Sequence, residues 1–266
     1  MNTSITSYNL ILTKVRFFTK QLKLKIEKHT GRPLSILPEK ILALAIFKQL
    51  HNIATKKSIH KIFDLQCSYK TLVVNMNRFM NYALVILQSI LKYNQGTSHL
   101  VKHTDSTDIP VCLNKNASHH KTMTGLASWG HSGKGFYYGI KMSITTDLSR
   151  HMLSVRFTTG NSNDRETFKK LNKDLYGVFV ADAGYISKDL EKAFYIENKR
   201  ILFAKPKANM KRLITSWQYN LYNTRMLIEL NFRNLKLFNG LITSLPKSVN
   251  GYCAHYTYSL LAYVLG

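Results

Sequence analysis

The hydrophobic pattern of this chain changes period once, across the polar stretch Tyr93–Ser98, and that change limits what the chain can fold into. Before it, apolar residues recur at helical spacing. After it, short β-branched and aromatic runs alternate with helical ones. This division predicts two domains: an all-α region over 1–95 and an α/β domain over 96–266.

In the first region, basic and apolar residues alternate from Val15 to Lys28, and Gly31, Arg32 and Pro33 break that pattern. Pro38 and Glu39 open a helix through Gln49 with an apolar stripe of Ile41, Leu42, Leu44 and Ala45. Further helical patterns cover Lys57–Leu65 and Ser68–Leu91. Fifteen Lys or Arg stand here against Glu27, Glu39 and Asp64. Such a basic bundle suits either a helix-turn-helix module or a bundle that simply packs.

The second region opens on a short strand, His99–Thr104, that ends at Asp105-Ser-Thr-Asp108. A basic loop, Asn114–Gly135, carries His119, His120, Lys121 and Lys134. Phe136–Thr146 and His151–Thr158 read as strands joined by the turn Asp147–Arg150. Gly160–Arg165 then caps a helix running to about Leu175, with Asp164 as a capping residue. Val178-Phe-Val-Ala reads as a buried strand with Asp182 at its carboxyl end. A helix at Ser187–Asn198 and a strand at Arg200–Ala204 complete a βαβ-like alternation, and a basic linker follows.

The net charge of +24 exceeds what solubility needs and points to a polyanionic partner, first of all DNA. No run of eighteen apolar residues marks a membrane span, and Lys14, Arg16 and Lys20 interrupt any leader-like core, so a cytoplasmic protein with no membrane partner is expected. Cys67, Cys112 and Cys253 form no CxxC pair, which argues against a zinc site or a disulfide framework. The adjacent His119 and His120 lack metal-pair spacing and read as loop or DNA-facing residues.

From Asn198 to Gly266 there are ten Lys or Arg but one carboxylate, Glu229. It lies in Tyr222–Lys236, a run without Gly or Pro that reads as a helix. At about 100° per residue, Tyr222, Arg225, Glu229 and Lys236 fall within about 60° of one another around its axis. By itself this is compatible with a surface helix bearing an Arg–Glu pair of small worth.

Asp105, Asp182 and Glu229 nevertheless stand out together. The carboxyl ends of neighbouring strands form the site edge of open α/β sheets, and a helix laid across that edge can deliver the third acid. Three clustered carboxylates need cations between them, and hard oxygen ligands suit Mg²⁺ or Mn²⁺. Two such ions roughly 3.5–4 Å apart support in-line phosphodiester displacement. Each Asp has an ordinary alternative as a turn or capping residue, and Asp108 competes with Asp105 as the first ligand.

These residues carry a family resemblance. Residues from about 99 to 265 resemble the catalytic domain of DDE transposases of bacterial insertion sequences, the branch with a ribonuclease-H-like fold. HTDSTDIPVC looks like the first-Asp motif, TTGNSNDRETF like the segment that precedes the second Asp, and VADAGYIS like the second-Asp motif. Tyr222-x2-Arg225-x3-Glu229-x6-Lys236 fits the Tyr/Arg/Glu/Lys signature at every spacing. Thr159 and Ala183 depart from it, where relatives often carry Pro and Lys.

The resemblance implies a ribonuclease-H-like domain, a mixed sheet flanked by helices, preceded by a helical region that binds the terminal inverted repeats. It implies Asp105, Asp182 and Glu229 as catalytic residues holding two Mg²⁺ or Mn²⁺ ions, with Lys236 on DNA near the cleavage site. Arg225 and Tyr222 support the glutamate face or the phosphate, and Arg233 adds charge toward the backbone. The implied activity is cleavage at insertion-sequence ends and joining of the 3′ ends to target DNA, by a homodimer in the bacterial nucleoid. A catalytically inactive DNA-binding remnant and a nuclease without strand transfer are the alternatives.

Overall fold

A computed structural model describes residues 2–24, 33–206, 210 and 213–266. Helices come first: α1 (Asn2–Gln21), α2 (Pro38–Leu50), α3 (Lys56–Ile62), α4 (Tyr69–Arg78) and α5 (Met80–Gly96). The sheet region holds β1 (Val101–Pro110), β2 (Ser128–Ser132), β3 (Gly135–Asp147), β4 (Met152–Thr159), α6 (Asp164–Leu171), β5 (Val178–Ala181), α7 (Lys188–Asn198) and β6 (Ile201–Ala204). The chain closes with α8 (Ser216–Asn223), α9 (Met226–Leu237) and α10 (Val249–Leu265).

Two compact units result, one of Met1–Ile90 with Asn234–Gly266 and one of Leu91–Arg233. The second unit is therefore shorter than the expected 96–266. The reason lies in α10, which is apolar on every side and has Tyr252, Ala254, Tyr256 and Ser259–Ala262 buried. A helix of that kind needs cover all round. It finds this cover against α2, whose Ile41–Phe47 are equally inaccessible, and against α4.

Several helix boundaries also shift. The expected Ser68–Leu91 helix is two helices, with Ser68 capping α4 through the Thr71 N–H. Thr55 caps α3 in the same way, through the Ser58 N–H. The helix expected over Val15–Lys28 starts much earlier and ends at Gln21. Residues 25–32, with most of the expected break, and Lys207, Lys211 and Arg212 of the basic linker lie outside the described residues.

In the second unit β1 is central. It pairs antiparallel with β3 on one side and parallel with β5 on the other, and β6 extends the sheet parallel to β5. The far edge of β3 is shared: Gly135–Gly139 pair with β2, and Ile140–Thr146 pair with β4. The order β4-β3-β1-β5-β6, with three antiparallel strands followed by two parallel ones joined through α6 and α7, is a ribonuclease-H-like sheet. Where the sequence predicted one basic loop between β1 and β3, β2 makes a hairpin arm with β3, preceded by a 3-10 turn at Asn114–His119.

The core under α6 and α7 is aromatic: Phe168, Phe179, Tyr185 and Phe194 pack with ring centroids 5.0–6.0 Å apart. Beside it Arg200 is 1 % exposed. Its guanidinium lies 3.9 Å from the Phe194 ring centroid, donates to the Asn172 carbonyl at 2.7 Å and pairs with Glu197. These partners offset the cost of burying the charge, although the guanidinium Nε meets no acceptor among the described residues.

Candidate active site

Side chains alternate between the two faces of β1, so residue parity decides where each acid goes. Thr104 and Ser106 face α6: Thr104 meets Thr145 and Asn172, and Ser106 donates to Asp164 Oδ1 at 3.1 Å. Lys141, the cross-strand partner of Asp108, pairs with Asp164 at 3.1 Å on the same side. His103 and Asp105 take the opposite face. His103 Nε2 lies 2.8 Å from Thr224 Oγ1, and Asp105 meets Arg225. Asp108 is thereby set apart from the acid cluster, and Asp105 is the β1 residue that faces it.

One expectation is corrected here. Asp105 does not end its strand but sits in the middle of β1, which runs on to Pro110. It still reaches the site edge because β5 is short. Pairing Val101 with Val178 and His103 with Val180 brings Asp105 level with Asp182, the first residue past β5. A second correction concerns Asp164, which opens α6 while Asn163 caps it through the Arg165 N–H.

The sequence Thr215–Gln218 starts α8 with a reciprocal capping box, and α9 follows after Thr224 and Arg225. This pair of helices delivers Tyr222, Arg225 and Glu229 to the acids. Arg225 Nη2 donates to Asp105 Oδ2 at 2.9 Å, and Nη1 donates to Glu229 Oε1 at 2.8 Å. The Tyr222 hydroxyl donates to Asp182 Oδ1 at 3.5 Å. Lys205, just past β6, stands over the Tyr222 ring at 5.2 Å. From the sequence alone Lys205 is indistinguishable from the rest of the basic linker.

The electrostatics follow from burial in a crowded acidic corner. Burial pushes the Asp105 carboxyl up to about 6; the Arg225 charge and the Ser106 N–H pull it back, and Asp182 pushes it up further. Arg225 is held above the usual guanidinium range because the charges of Asp105, Asp182 and Glu229 outweigh its burial. Burial raises the Tyr222 phenol, as does Asp182, so it stays protonated and donates. His103 is lowered to about 4, chiefly by burial, and is a neutral ring beside Thr224.

The donors suit a hard cation in kind, being carboxylates with no thiol among them. Among the described residues no three acid, imidazole or thiol side chains are gathered as a metal-holding group. Arg225 supplies the positive charge between Asp105 and Glu229.

The other predicted residues lie elsewhere. His119, His120, Lys121 and Lys134 are on the insertion between β1 and β3; His119, Lys121 and Lys134 are exposed, and His120 packs edge-on to Tyr138 at 6.2 Å. Arg233 is exposed on α9, and Lys236 is half-buried in the last turn of that helix, among residues that belong to the helical unit. No described helix is long and apolar enough to cross a membrane.

A ribonuclease-H-like sheet with acids on its central strand and at the end of the neighbouring strand defines a class of proteins, and comparison places the chain within it. The family model described as a transposase DDE domain matches residues 95–243, and the chain belongs to that family. Among solved structures it is similar to the Mos1 mariner paired-end complex with Mn, at 13 % identity over 92 % of this chain and 82 % of that one, with a TM-score of 0.27. A Mos1 transposase paired-end complex with the left transposon end gives 11 % identity, the same coverages and a TM-score of 0.25. No curated protein matches it.

Proposed function

We propose that this transposase cuts DNA at the ends of a bacterial insertion sequence and joins the freed 3′ ends to target DNA. The observation that carries this reading is the alignment of Asp105 with Asp182 across β1 and β5, with Glu229 brought to Asp105 through Arg225. Asp105, Asp182 and Glu229 would hold two Mg²⁺ or Mn²⁺ ions. When bound, such ions activate an attacking oxygen and stabilise the leaving oxygen of a phosphodiester. Arg225, once an acid is drawn off it, has a bidentate guanidinium to offer a phosphate. Lys205 and the Tyr222 ring flank the same edge and orient the backbone. Arg233 and Lys236, with His119, His120, Lys121 and Lys134 of the β1–β3 insertion, would bind the duplex, and the helical unit would take the terminal inverted repeats. A homodimer would act on the paired ends, in the nucleoid.

Asp182→Asn and Glu229→Gln test this reading. Each is expected to lower Mg²⁺-dependent cleavage of insertion-end DNA by roughly a thousandfold or more while duplex affinity stays within a few fold. Cleavage that persists in both variants overturns the triad. Cleavage by the unaltered protein without any joining of 3′ ends in a strand-transfer assay reduces the proposal to a nuclease.

A further inference from the structure

The helical unit contains a cavity of about 390 Å³ that the function above does not use. Its wall is built from the end of α2, the start of α3, one face of α4 and the start of α10. Lys48, Lys56 and Lys247 line it, with Asn77, Tyr69 and Ser248, and no carboxylate does.

Lys48 is 8 % exposed, and its ammonium donates to the neutral Gln49 Oε1 at 3.1 Å. Lys56 donates to the neutral Asn77 Oδ1 at 2.9 Å. Among the described residues neither lysine has an ion-pair partner. Burial, then the charge of Lys56, lowers Lys48 to about 8; burial lowers Lys56 to about 8. Both are still charged at neutral pH, and they repel each other.

His255 completes the wall and cannot relieve that repulsion. Its Nε2 lies 2.6 Å from the Gly240 carbonyl, which it meets as a donor, leaving Nδ1 to accept from Gln49 at 3.1 Å. Burial and the two lysine charges lower it to about 4. The ring is a neutral spacer. Two cations are thus held together with only neutral acceptors, at a cost that a bound anion removes. The amino end of the seventeen-residue α10, capped by Ser248, faces the same cavity with its partial positive charge, and exposed Lys247 stands at the rim.

We propose that this cavity is a phosphate-binding site in which Lys48 and Lys56 grip the anion and Lys247 and the start of α10 close over it. The phosphate comes either from a DNA backbone or from free inorganic phosphate, and both present the same oxygens to the same cations.

The test uses the full chain in a melting assay at fixed ionic strength, replacing sodium chloride by sodium phosphate. The unaltered protein is expected to gain about 3–6 °C, while Lys48→Met and Lys56→Met, which keep the stem and remove the charge, gain none. Without phosphate these variants melt at or above the unaltered protein, since each removes a repulsion; if one fails to fold, the other reports alone. An equal phosphate shift in unaltered protein and variants overturns the site, and so does the absence of any shift together with unchanged duplex affinity. Duplex titration separates the sources. If the site takes a backbone phosphate, the two variants bind duplex about tenfold more weakly, and the slope of log K against log salt falls by about 0.9. If it takes free phosphate, duplex affinity is unchanged while the melting shift is lost.

Discussion

Arg225 reaches Asp105 with one guanidinium nitrogen at 2.9 Å and, with the other, Glu229 one helical turn away at 2.8 Å. A single cation thus ties the central strand of the sheet to the helix that brings the third acid. Asp105 and Arg225 have side chains only 15 % and 18 % exposed, so their contact is better shielded from water than the Glu229 arm at 58 %.

Arg225→Gln should therefore destabilise the sheet unit by roughly 2 kcal/mol in the presence of a chelator, because it leaves Asp105 and Asp182 facing each other without a counter-charge. Mn²⁺ should restore most of that loss and raise the melting temperature of the variant more than that of the unaltered protein. Melting curves with chelator and with Mn²⁺ check both parts. Equal metal shifts in the two proteins would show that Arg225 and the ion do not share the acids.

Asn172 holds a different junction. Fully buried, it joins Thr145 at 2.6 Å through its side-chain oxygen, donates to the Phe168 carbonyl at 3.1 Å, and offers its own carbonyl to Arg200. Asn172→Ala removes the side-chain partner of two buried threonine hydroxyls and opens a small cavity. Chemical denaturation should show a loss of about 2–4 kcal/mol. Asn172→Asp, of equal volume, should be no better tolerated, since it keeps the acceptor but loses the donor to Phe168 and places a charge beside β1.

How much of this was legible beforehand depended on whether the signal was local. From β3 to β6 the order of strands and helices is legible because each run carries its own period, whereas β2 falls in a stretch that reads as loop and the run Tyr222–Lys236, which reads as one helix, is divided between α8 and α9; Glu229 stands out because it is alone among cations. Asp105 reads from the sequence as a strand end, whereas β1 continues past it, and only the register against β5, a long-range property, brings it level with Asp182. The fate of α10 was hidden for the same cause. Its all-round apolar surface signals burial, but nothing local says that its cover lies two hundred residues back, at α2. Arg200 gave no sign at all, since a buried guanidinium looks like any other Arg until Phe194, Glu197 and the Asn172 carbonyl are seen around it.

Acid should loosen the helical unit through His255. Its folded pKa of about 4 lies below the ordinary 6.5, so the unfolded chain binds the extra proton between those values. Stability contributed by the neutral ring is whole above about pH 6.5 and is lost as pH falls toward 4. The groups around it, Lys48 and Lys56, stay charged throughout that window and add to the cost of protonation. Unfolding followed in denaturant from pH 7 to 4 should show this fall, and His255→Gln should flatten part of it; an unchanged slope in the variant would rule out His255 as the source.

Tyr222 offers a way to separate its two contributions at the acidic edge. The hydroxyl is 3.5 Å from Asp182, a long contact and a weak one, whereas the ring lies under Lys205 at 5.2 Å. Tyr222→Phe keeps the ring and drops the hydroxyl, so single-turnover cleavage should fall by less than about tenfold and duplex affinity should not change. Tyr222→Ala removes both and frees Lys205 from its platform, so cleavage should fall further and affinity should weaken by several fold. If the two substitutions cost the same, the hydroxyl on Asp182 carries the whole role, and the ring under Lys205 none.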